Sequence, residues 1–337
     1  MPIFAAPAEE VGTTLASPLL WGVSIAVLVG LLVLDFVVTR KPHAVSMREA
    51  VGWSVFYLTL PLLFALWLWP TFGSTEATDF LTGFVVEKSL SVDNLFVFML
   101  ILAGFAVPVE VRQRVLLFGI VGAIALRGVF IGLGAAMLQA GTWAFLVFGG
   151  ILLVSAAKLL HEALSDSDDE QQNVREMRSV RVLRRLLPVT ENYRGTKILT
   201  RENGRMALTP LAVVVFAVFA ADIVFAVDSV PAVYGITSDP YLVFATNAFA
   251  LLGLRALYFV LHSALAKLKH LNHGLSVILG FIGVKLILHW ANSVWPAVPV
   301  IPTPISLAVI VGVLAVVTAT SFLIRDPEEE PSVETSS

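Results

Sequence analysis

Acidic and polar residues recur at the same spacing in two apolar stretches of the chain. The first contains EKSLSVDN at 87–94 and the second contains DIVFAVDS at 222–229. In each, an acid is followed six residues later by an aspartate, which stands between a valine and a small polar residue. Carboxylate oxygens suit hard cations such as Mg²⁺, Ca²⁺ and Mn²⁺. We therefore predict one central cation site, ringed by the following four acids: Glu87, Asp93, Asp222 and Asp228.

Further polar residues in the apolar stretches could complete such a site or neutralise it. Asn94, Ser229 and Asn247 could add neutral oxygen ligands. Basic residues also recur in order, since an arginine and then a lysine follow each acid pair. An alternative interpretation is that the acids pair with these bases only to hold the helices together, and Asp35 could be an acid at the membrane interface. The supporting or charge-pairing candidates are Arg127, Arg255, Lys88, Lys158, Lys285, Asn247 and Asp35.

The composition places these residues in a membrane. The 337 residues are 57% hydrophobic and 14% charged, whereas about 25% of residues in an average soluble domain are charged. The apolar residues form blocks of about the ~20 residues needed to cross a bilayer. The net charge of −3 gives no basic excess for nucleic acid, and the absence of cysteine excludes disulfides and thiolate metal sites. The sequence predicts an all-α polytopic membrane protein.

Nine spans are predicted, and the third, which carries charges, could be tilted or broken. Basic residues occur in every odd-numbered connection and in no even-numbered one, so the N-terminus is predicted outside and the C-terminus in the cytoplasm. The first apolar block has no basic residues before it and is interpreted as a retained span. The predicted spans are 19–38, 49–69, 80–106, 114–137, 142–161, 207–230, 241–262, 273–292 and 303–324.

The ordered acid, acid, arginine and lysine series suggests two inverted three-helix repeats, at 80–161 and 207–292. Three spans per unit place the two units in opposite senses in the membrane, as in many secondary transporters. Two acids six residues apart lie ~600° apart around a straight helix, about 120° from facing the same way. Either the helices bend, for example near Ser89, Ser91 or Pro231, or the site lies between several helices.

The remaining segments are polar. Residues 1–18 form a predicted extracytoplasmic tail, 19–161 hold spans one to five, and 207–324 hold spans six to nine. Residues 162–206 form a charged cytoplasmic loop, and 325–337 form an acidic cytoplasmic tail. Within the loop, the spacing of apolar residues over 180–187 fits an amphipathic helix on the membrane or a solvated segment that only fixes topology.

The segments at 87–98 and 222–232 resemble the signature segments of the TerC family of membrane proteins. The nine spans with a charged loop after the fifth resemble its Alx-type members, and the resemblance extends over most of the chain. It implies a multi-pass inner-membrane protein associated with manganese efflux, in a family named from tellurium resistance. It also implies that Glu87, Asp93, Asp222 and Asp228 serve cation passage.

The predicted function is export of a divalent cation, Mn²⁺ above all, coupled to the entry of protons or another cation. The chain has no P-loop for nucleotide-driven pumping and no Gly-x-Gly-Asp sequence of an intramembrane aspartyl protease, so we expect no enzyme activity and no prosthetic group. The expected partners are the divalent cation, the lipid bilayer, protons, and membrane or secretion proteins that contact loop 162–206. The alternative is a non-transporting scaffold in tellurite resistance, or in metal loading of exported proteins.

Overall fold

The structure, a computed structural model, describes residues 14–38, 47–164, 199–202, 205–261 and 271–323. These ranges contain a short antiparallel hairpin of β1 (Leu199–Glu202) and β2 (Arg205–Leu208). Residues 1–13 of the predicted N-terminal tail, the predicted C-terminal tail and the 180–187 segment lie outside the described residues. The helices are α1 (Pro18–Val38), α2 (Met47–Phe72), α3 (Ser74–Gly104), α4 (Val109–Ala140), α5 (Trp143–Leu164), α6 (Pro210–Tyr234), α7 (Pro240–Leu251), α8 (Leu254–Leu261), α9 (Leu271–Val294) and α10 (Thr303–Leu323).

Seven helices in the described ranges are long and apolar enough to cross a membrane, namely α1, α2, α4, α5, α6, α9 and α10. Many of their large apolar side chains are exposed, as expected of surfaces that face lipid. The prediction of a polytopic all-α membrane protein is therefore confirmed. The full set of nine spans and the inverted repeats stay predictions, because α3 and the interrupted pair α7–α8 fall outside this set of seven.

The two helices that carry the acid pairs are continuous. Helix α3 runs unbroken past Ser89, whose hydroxyl donates to the Val85 carbonyl one turn earlier at 2.6 Å. Helix α6 continues through Pro231 to Tyr234. A site shared by the acids therefore has to lie between helices, since neither helix is broken at these positions.

The predicted seventh span is not one helix, because the chain leaves the helical path at Leu252 and Gly253. Gly253 has φ of 76°, a left-handed conformation that favours glycine. A Cβ atom there would also lie 2.5 Å from the Cβ atom of Tyr57 on α2. The pattern of apolar residues continues across this point, which is why the sequence predicts a single span.

The first half of this span, α7, starts at a strong cap. The Asp239 carboxylate accepts hydrogen bonds from the backbone N–H groups of Tyr241 and Leu242, at 2.8 and 3.0 Å. It also accepts one from the N–H of Leu15, at 2.5 Å, which ties the segment before α1 to α7. Burial raises the pKa of the Asp239 carboxyl, and these three hydrogen bonds oppose that shift.

Helices α5 and α9 cross at very short range. A Cβ atom on Gly149 of α5 would lie 2.8 Å from the Gly283 carbonyl oxygen of α9 and 2.7 Å from Cγ1 of Ile287. Small residues at crossings let membrane helices approach until their backbones touch. This contact fixes the two helices that end the predicted repeats against one another.

We expect Gly149→Ala to destabilise the protein by about 1–3 kcal/mol, because the added methyl group overpacks the crossing. Gly150→Ala is the matched control, since a Cβ atom there meets nothing within 4 Å. Thermal unfolding in detergent should show a lower midpoint for Gly149→Ala alone. Equal midpoints for the two variants would contradict the close crossing.

Candidate functional site

A buried arginine on α4 joins the two acidic helices. The guanidinium of Arg127 forms an ion pair through Nη1 with Oε1 of Glu87 on α3. Its Nη2 lies 3.6 Å from Oδ1 of Asp222 on α6. The side chains of the three residues are at most 1% exposed. Glu87 and Asp222, which occupy equivalent positions in the two sequence motifs, therefore both lie beside the guanidinium of Arg127.

Two asparagines complete the surroundings of Arg127. Nη1 donates to Oδ1 of Asn247 on α7 at 2.8 Å, and Nδ2 of Asn247 donates to the Val243 carbonyl at 2.9 Å. With its amide oriented to satisfy its neighbours, Asn94 accepts from Nη2 of Arg127 at 3.3 Å and donates to the Leu90 carbonyl. Arg127 thus links α3, α4, α6 and α7 through two carboxylates and two amides.

This group of four helices encloses the charges between two apolar clusters. One cluster includes Ala123 of α4 and Ala221 of α6, and the other includes Ile131 of α4 and Val230 of α6. Arg127 and Asp222 lie between these positions along their helices. The ion pairs are therefore buried in a layer with apolar packing on both sides, where charges interact more strongly than in water.

A second base fixes the end of the interrupted helix. Lys88 follows Glu87 on α3, and its ammonium group donates to the Ala250 carbonyl in the last turn of α7 at 3.1 Å. The last carbonyls of a helix lack partners within the helix and carry its negative dipole end. Lys88 therefore satisfies a polar group that the break at Leu252 and Gly253 leaves without an intrahelical partner.

Several buried oxygens of this site make no hydrogen bond with the described residues. They are Oε2 of Glu87, Oδ2 of Asp222, and the hydroxyls of Ser91 and Ser229. Buried polar atoms are ordinarily hydrogen-bonded, so each of these atoms can accept a ligand. The oxygens come from α3 and α6 alone.

The remaining predicted site residues differ in burial and in the charges near them. Asp228 is half-buried and within electrostatic range of Arg127 and of Lys158, which is exposed on α5. Lys285 is buried on α9, within electrostatic range of Asp79 near the start of α3. The side chains of Asp93 and Arg255 lie outside the described part of the structure.

Asp35 is separate from this site. It is buried on α1 and accepts a hydrogen bond from the Tyr57 hydroxyl of α2 at 3.2 Å. Among the side chains that the structure describes, no three acids or histidines are grouped at metal-binding distance. The metal site therefore stays a prediction, while the observed arrangement is a buried set of ion pairs.

The sequence did not indicate the two backbone features of the site, the Ala250 carbonyl and the break at Gly253. The glycine inside an apolar run was the available signal, because an isolated glycine in a predicted span can mark an interruption. The partnership of Lys88 with a carbonyl had no sequence signal.

Replacing Lys88 by methionine should destabilise the protein by about 1.5–3 kcal/mol, the usual value of a hydrogen bond to a charged group. Arg48→Met serves as the matched control, because the Arg48 side chain is exposed in the first turn of α2. The measurement is thermal unfolding of both purified variants in one detergent. A Lys88→Met variant as stable as the wild type would show that the Ala250 contact does not hold α7 in place.

Comparison with known proteins identifies the family of the chain. The family model of TerC integral membrane proteins matches residues 72–329, which takes in α3 to α10. An uncharacterized membrane protein of Myxococcus xanthus is 40% identical over 307 residues, which cover 90% of this chain and 92% of that protein. An uncharacterized membrane protein of Mycobacterium tuberculosis is 41% identical over 317 residues, covering 91% of this chain and 80% of its own length.

A relative from Salmonella typhi, whose name proposes a membrane-bound redox modulator, Alx, is 38% identical over 313 residues. These residues cover 90% of this chain and 94% of that protein. No solved structure matches the chain. The match of the family model over most of the chain and the extent of the relatives' similarity lead to one conclusion: the chain belongs to the TerC family of integral membrane proteins.

Proposed function

We propose that the chain is a secondary transporter that exports a divalent cation, Mn²⁺ in the first place, across the cytoplasmic membrane. The observation that carries this proposal is the meeting of two buried carboxylates, Glu87 of α3 and Asp222 of α6, inside a bundle of apolar helices. Ionisable groups in such positions are costly and commonly mark ion pathways. Their chemistry suits a hard cation, because carboxylate oxygens are the preferred ligands of Mn²⁺, Mg²⁺ and Ca²⁺.

The proposed ligands come from the two repeated motifs. The buried oxygens of Glu87, Asp222 and Ser229 that lack hydrogen bonds with described residues support this assignment. Arg127 and Lys88 have supporting roles through the contacts described above, and we propose supporting roles for Lys158, Lys285, Arg255, Asn247 and Asp35. The full set of proposed ligands is Glu87, Asp93, Asn94, Asp222, Asp228 and Ser229.

The packing of the helices supports the inverted repeats. If 80–161 and 207–292 are equivalent, α3 exchanges with α6, α4 with α7–α8, and α5 with α9. Under this exchange, the contact between α3 and α7 corresponds to a contact between α6 and α4. Both contacts are present in the structure. Helices α3 and α6, α4 and α7, and α5 and α9 also contact one another, as expected around a two-fold axis. Such repeats enclose substrate sites near the membrane midplane.

Export from an inside-negative cell needs an energy source. Moving two positive charges outward costs roughly 4.6 kcal/mol per 100 mV, at about 2.3 kcal/mol for each charge. We propose that protons or another cation enter in exchange, with the carboxylates as shared binding groups. The proposed orientation in the inner membrane has the N-terminus outside and the C-terminus in the cytoplasm, as the basic connections indicate.

We expect Asp222→Asn and Glu87→Gln to reduce Mn²⁺ export at least about tenfold, because even an outer-shell change costs about 10–100-fold in metal affinity. Glu76→Gln is the matched control, an acid in the first turn of α3, about three turns before Glu87 on the same helix. Efflux is measured as Mn²⁺ uptake by inverted membrane vesicles, with equal amounts of each protein in the membrane. Wild-type rates in both site variants would refute the central site.

Coupling is tested in the same vesicles. Collapse of the proton gradient should reduce Mn²⁺ uptake to the passive level if protons drive exchange. Replacement of the other cations tests the remaining coupling ions one at a time. Uptake that is unchanged by every such treatment would exclude antiport.

The second function to be distinguished is a non-transporting scaffold that works in tellurite resistance or loads metal onto exported proteins through the cytoplasmic loop. The redox role in the Salmonella relative's name could not use a thiol here, because the chain has no cysteine. Replacing residues 165–198 by a polar linker of equal length should leave Mn²⁺ efflux within about twofold of the wild type if the helices carry transport. Loss of efflux from a protein that still reaches the membrane would favour the scaffold.

A further inference from the structure

We propose that Arg127 is a tethered internal cation that competes with the transported cation for Glu87 and Asp222. The divalent cation binds by displacing the guanidinium from these two carboxylates, and the guanidinium returns when the cation leaves. This inference rests on the proposed function and adds to it a residue that sets affinity and charge selectivity.

The first observation is that the guanidinium and a metal ion would use the same two carboxylates. Arg127 contacts Oε1 of Glu87 and approaches Oδ1 of Asp222, one carboxylate from each acidic helix. A hard divalent cation needs oxygens at about 2.0–2.6 Å, which leaves no room for an N–H group pointing at the same lone pair. A cation that binds both oxygens of each carboxylate therefore excludes the guanidinium from Oε1 of Glu87 and Oδ1 of Asp222.

The second observation is the charge of the buried layer. Glu87 and Asp222 carry two negative charges against one positive charge on Arg127, all at 0–1% exposure between two apolar clusters. A divalent cation added beside an unmoved guanidinium would give this trio and the metal a net charge of +1. Displacement of the guanidinium lets the two carboxylates neutralise the dication, while Asp228 lies within electrostatic range of the charge on Arg127.

The third observation is that the guanidinium is only partly fixed by the acids. Its 3.6 Å approach to Asp222 is longer than a hydrogen bond, and its Nε has no hydrogen-bond partner among the described residues. The amide oxygens of Asn247 and Asn94 also accept from it. Asn247 can keep its hydrogen bond to a guanidinium that has left the carboxylates, and Asp228 lies within electrostatic range of the charge on Arg127.

The position of Asn247 connects this exchange to the interrupted helix. Asn247 lies on α7, five residues before the break at Leu252, and its amide group also donates to the Val243 carbonyl. A guanidinium that leaves Glu87 and Asp222 keeps its contact with α7 and gives up its carboxylate contacts on α3 and α6. Cargo binding thereby changes which helices Arg127 holds together.

A tethered competitor has two effects on cargo. Its effective concentration at the site is high because it is covalently attached, so the apparent affinity for the cargo falls and release becomes faster. A monovalent ion carries the same single positive charge as the guanidinium, whereas a divalent cation carries twice that charge to the carboxylates. Arg127 therefore selects for divalent charge without being a ligand.

The test measures Mn²⁺ binding by purified full-length wild type, Arg127→Met and Arg127→Lys in nanodiscs, by calorimetry. We expect Arg127→Met to bind Mn²⁺ at least about tenfold more tightly than the wild type, because a unit charge beside the site is removed. Arg127→Lys should fall between the two, since a compact ammonium group cannot reach both carboxylates and Asn247 together. Arg112→Met is the control on the same helix, with its Nε bonded to the Val107 carbonyl, and should bind like the wild type.

Stability provides a second readout. Without divalent ions, Arg127→Met should unfold at a lower temperature than the wild type because two buried carboxylates lose their partner, and Mn²⁺ should restore the midpoint. Binding by Arg127→Met that is no tighter than the wild type, or a midpoint that Mn²⁺ does not raise, would overturn the inference. If Arg127→Met does not fold, Arg127→Lys decides the matter, because equal or weaker binding by this variant overturns it as well.

Transport separates this inference from the proposed function. If wild-type vesicles take up Mn²⁺ but the Arg127 variants bind no more tightly, only the tethered-cation inference fails. If wild-type protein neither transports nor binds Mn²⁺, both fail together. If both the proposed function and this inference are correct, Arg127→Met should transport Mn²⁺ more slowly than the wild type at saturating Mn²⁺. In this variant no guanidinium takes the place of the cation as it leaves the carboxylates.

Discussion

The structure depends on how the negative charges of two acidic side chains, which are buried among apolar helices, are neutralised. An ionisable side chain at the centre of a spanning helix costs roughly 2.5–3.5 kcal/mol on insertion scales. Ion pairing with Arg127, which lies on a third helix, reduces this free-energy cost for Glu87 and Asp222. The positions of α3, α4 and α6 relative to one another are consequently tied to the geometry of a single guanidinium group. Apolar packing above and below this layer then fixes the rest of the bundle.

The polar groups of the interrupted pair α7–α8 are likewise satisfied by basic side chains from other helices. A break inside a spanning segment exposes backbone carbonyls, and such backbone is tolerated only where protein groups or water satisfy it. Lys88 bonds the Ala250 carbonyl, and Arg127 bonds the side chain of Asn247 one turn earlier. Both bases belong to the predicted first repeat and stabilise a helix of the predicted second repeat. The two halves of the chain are therefore joined through charge-assisted hydrogen bonds as well as through close helix contacts such as Gly149 with Gly283.

Much of this arrangement could be predicted from the sequence, for identifiable reasons. Apolar blocks of spanning length have few interpretations, so the membrane class and most helices followed from composition and hydropathy. The repeated acids and bases stood out because charges are rare within spans. Which acid pairs with which base could not be predicted, since the contacts of Glu87 and Asp222 with Arg127 depend on how α3, α4 and α6 pack. The break at Gly253 was missed because the hydropathy around it resembles that of a continuous helix, and the isolated glycine, which has a left-handed φ in the structure, was the one sequence signal of it.

The contact between Tyr57 and Gly253 gives the two N-terminal helices a mechanical connection to the interior. The Tyr57 ring packs where any side chain at position 253 would have to lie, and its hydroxyl donates to Asp35 on α1. A change in the direction of α8 at Gly253 must therefore displace the ring and strain a hydrogen bond between α1 and α2. These two helices present most of their surface outward. Forces from the surrounding lipid on α1 and α2 thus reach the interrupted helix through Tyr57 and through the other aromatic contacts between these helices, such as that of Phe64 with Phe249.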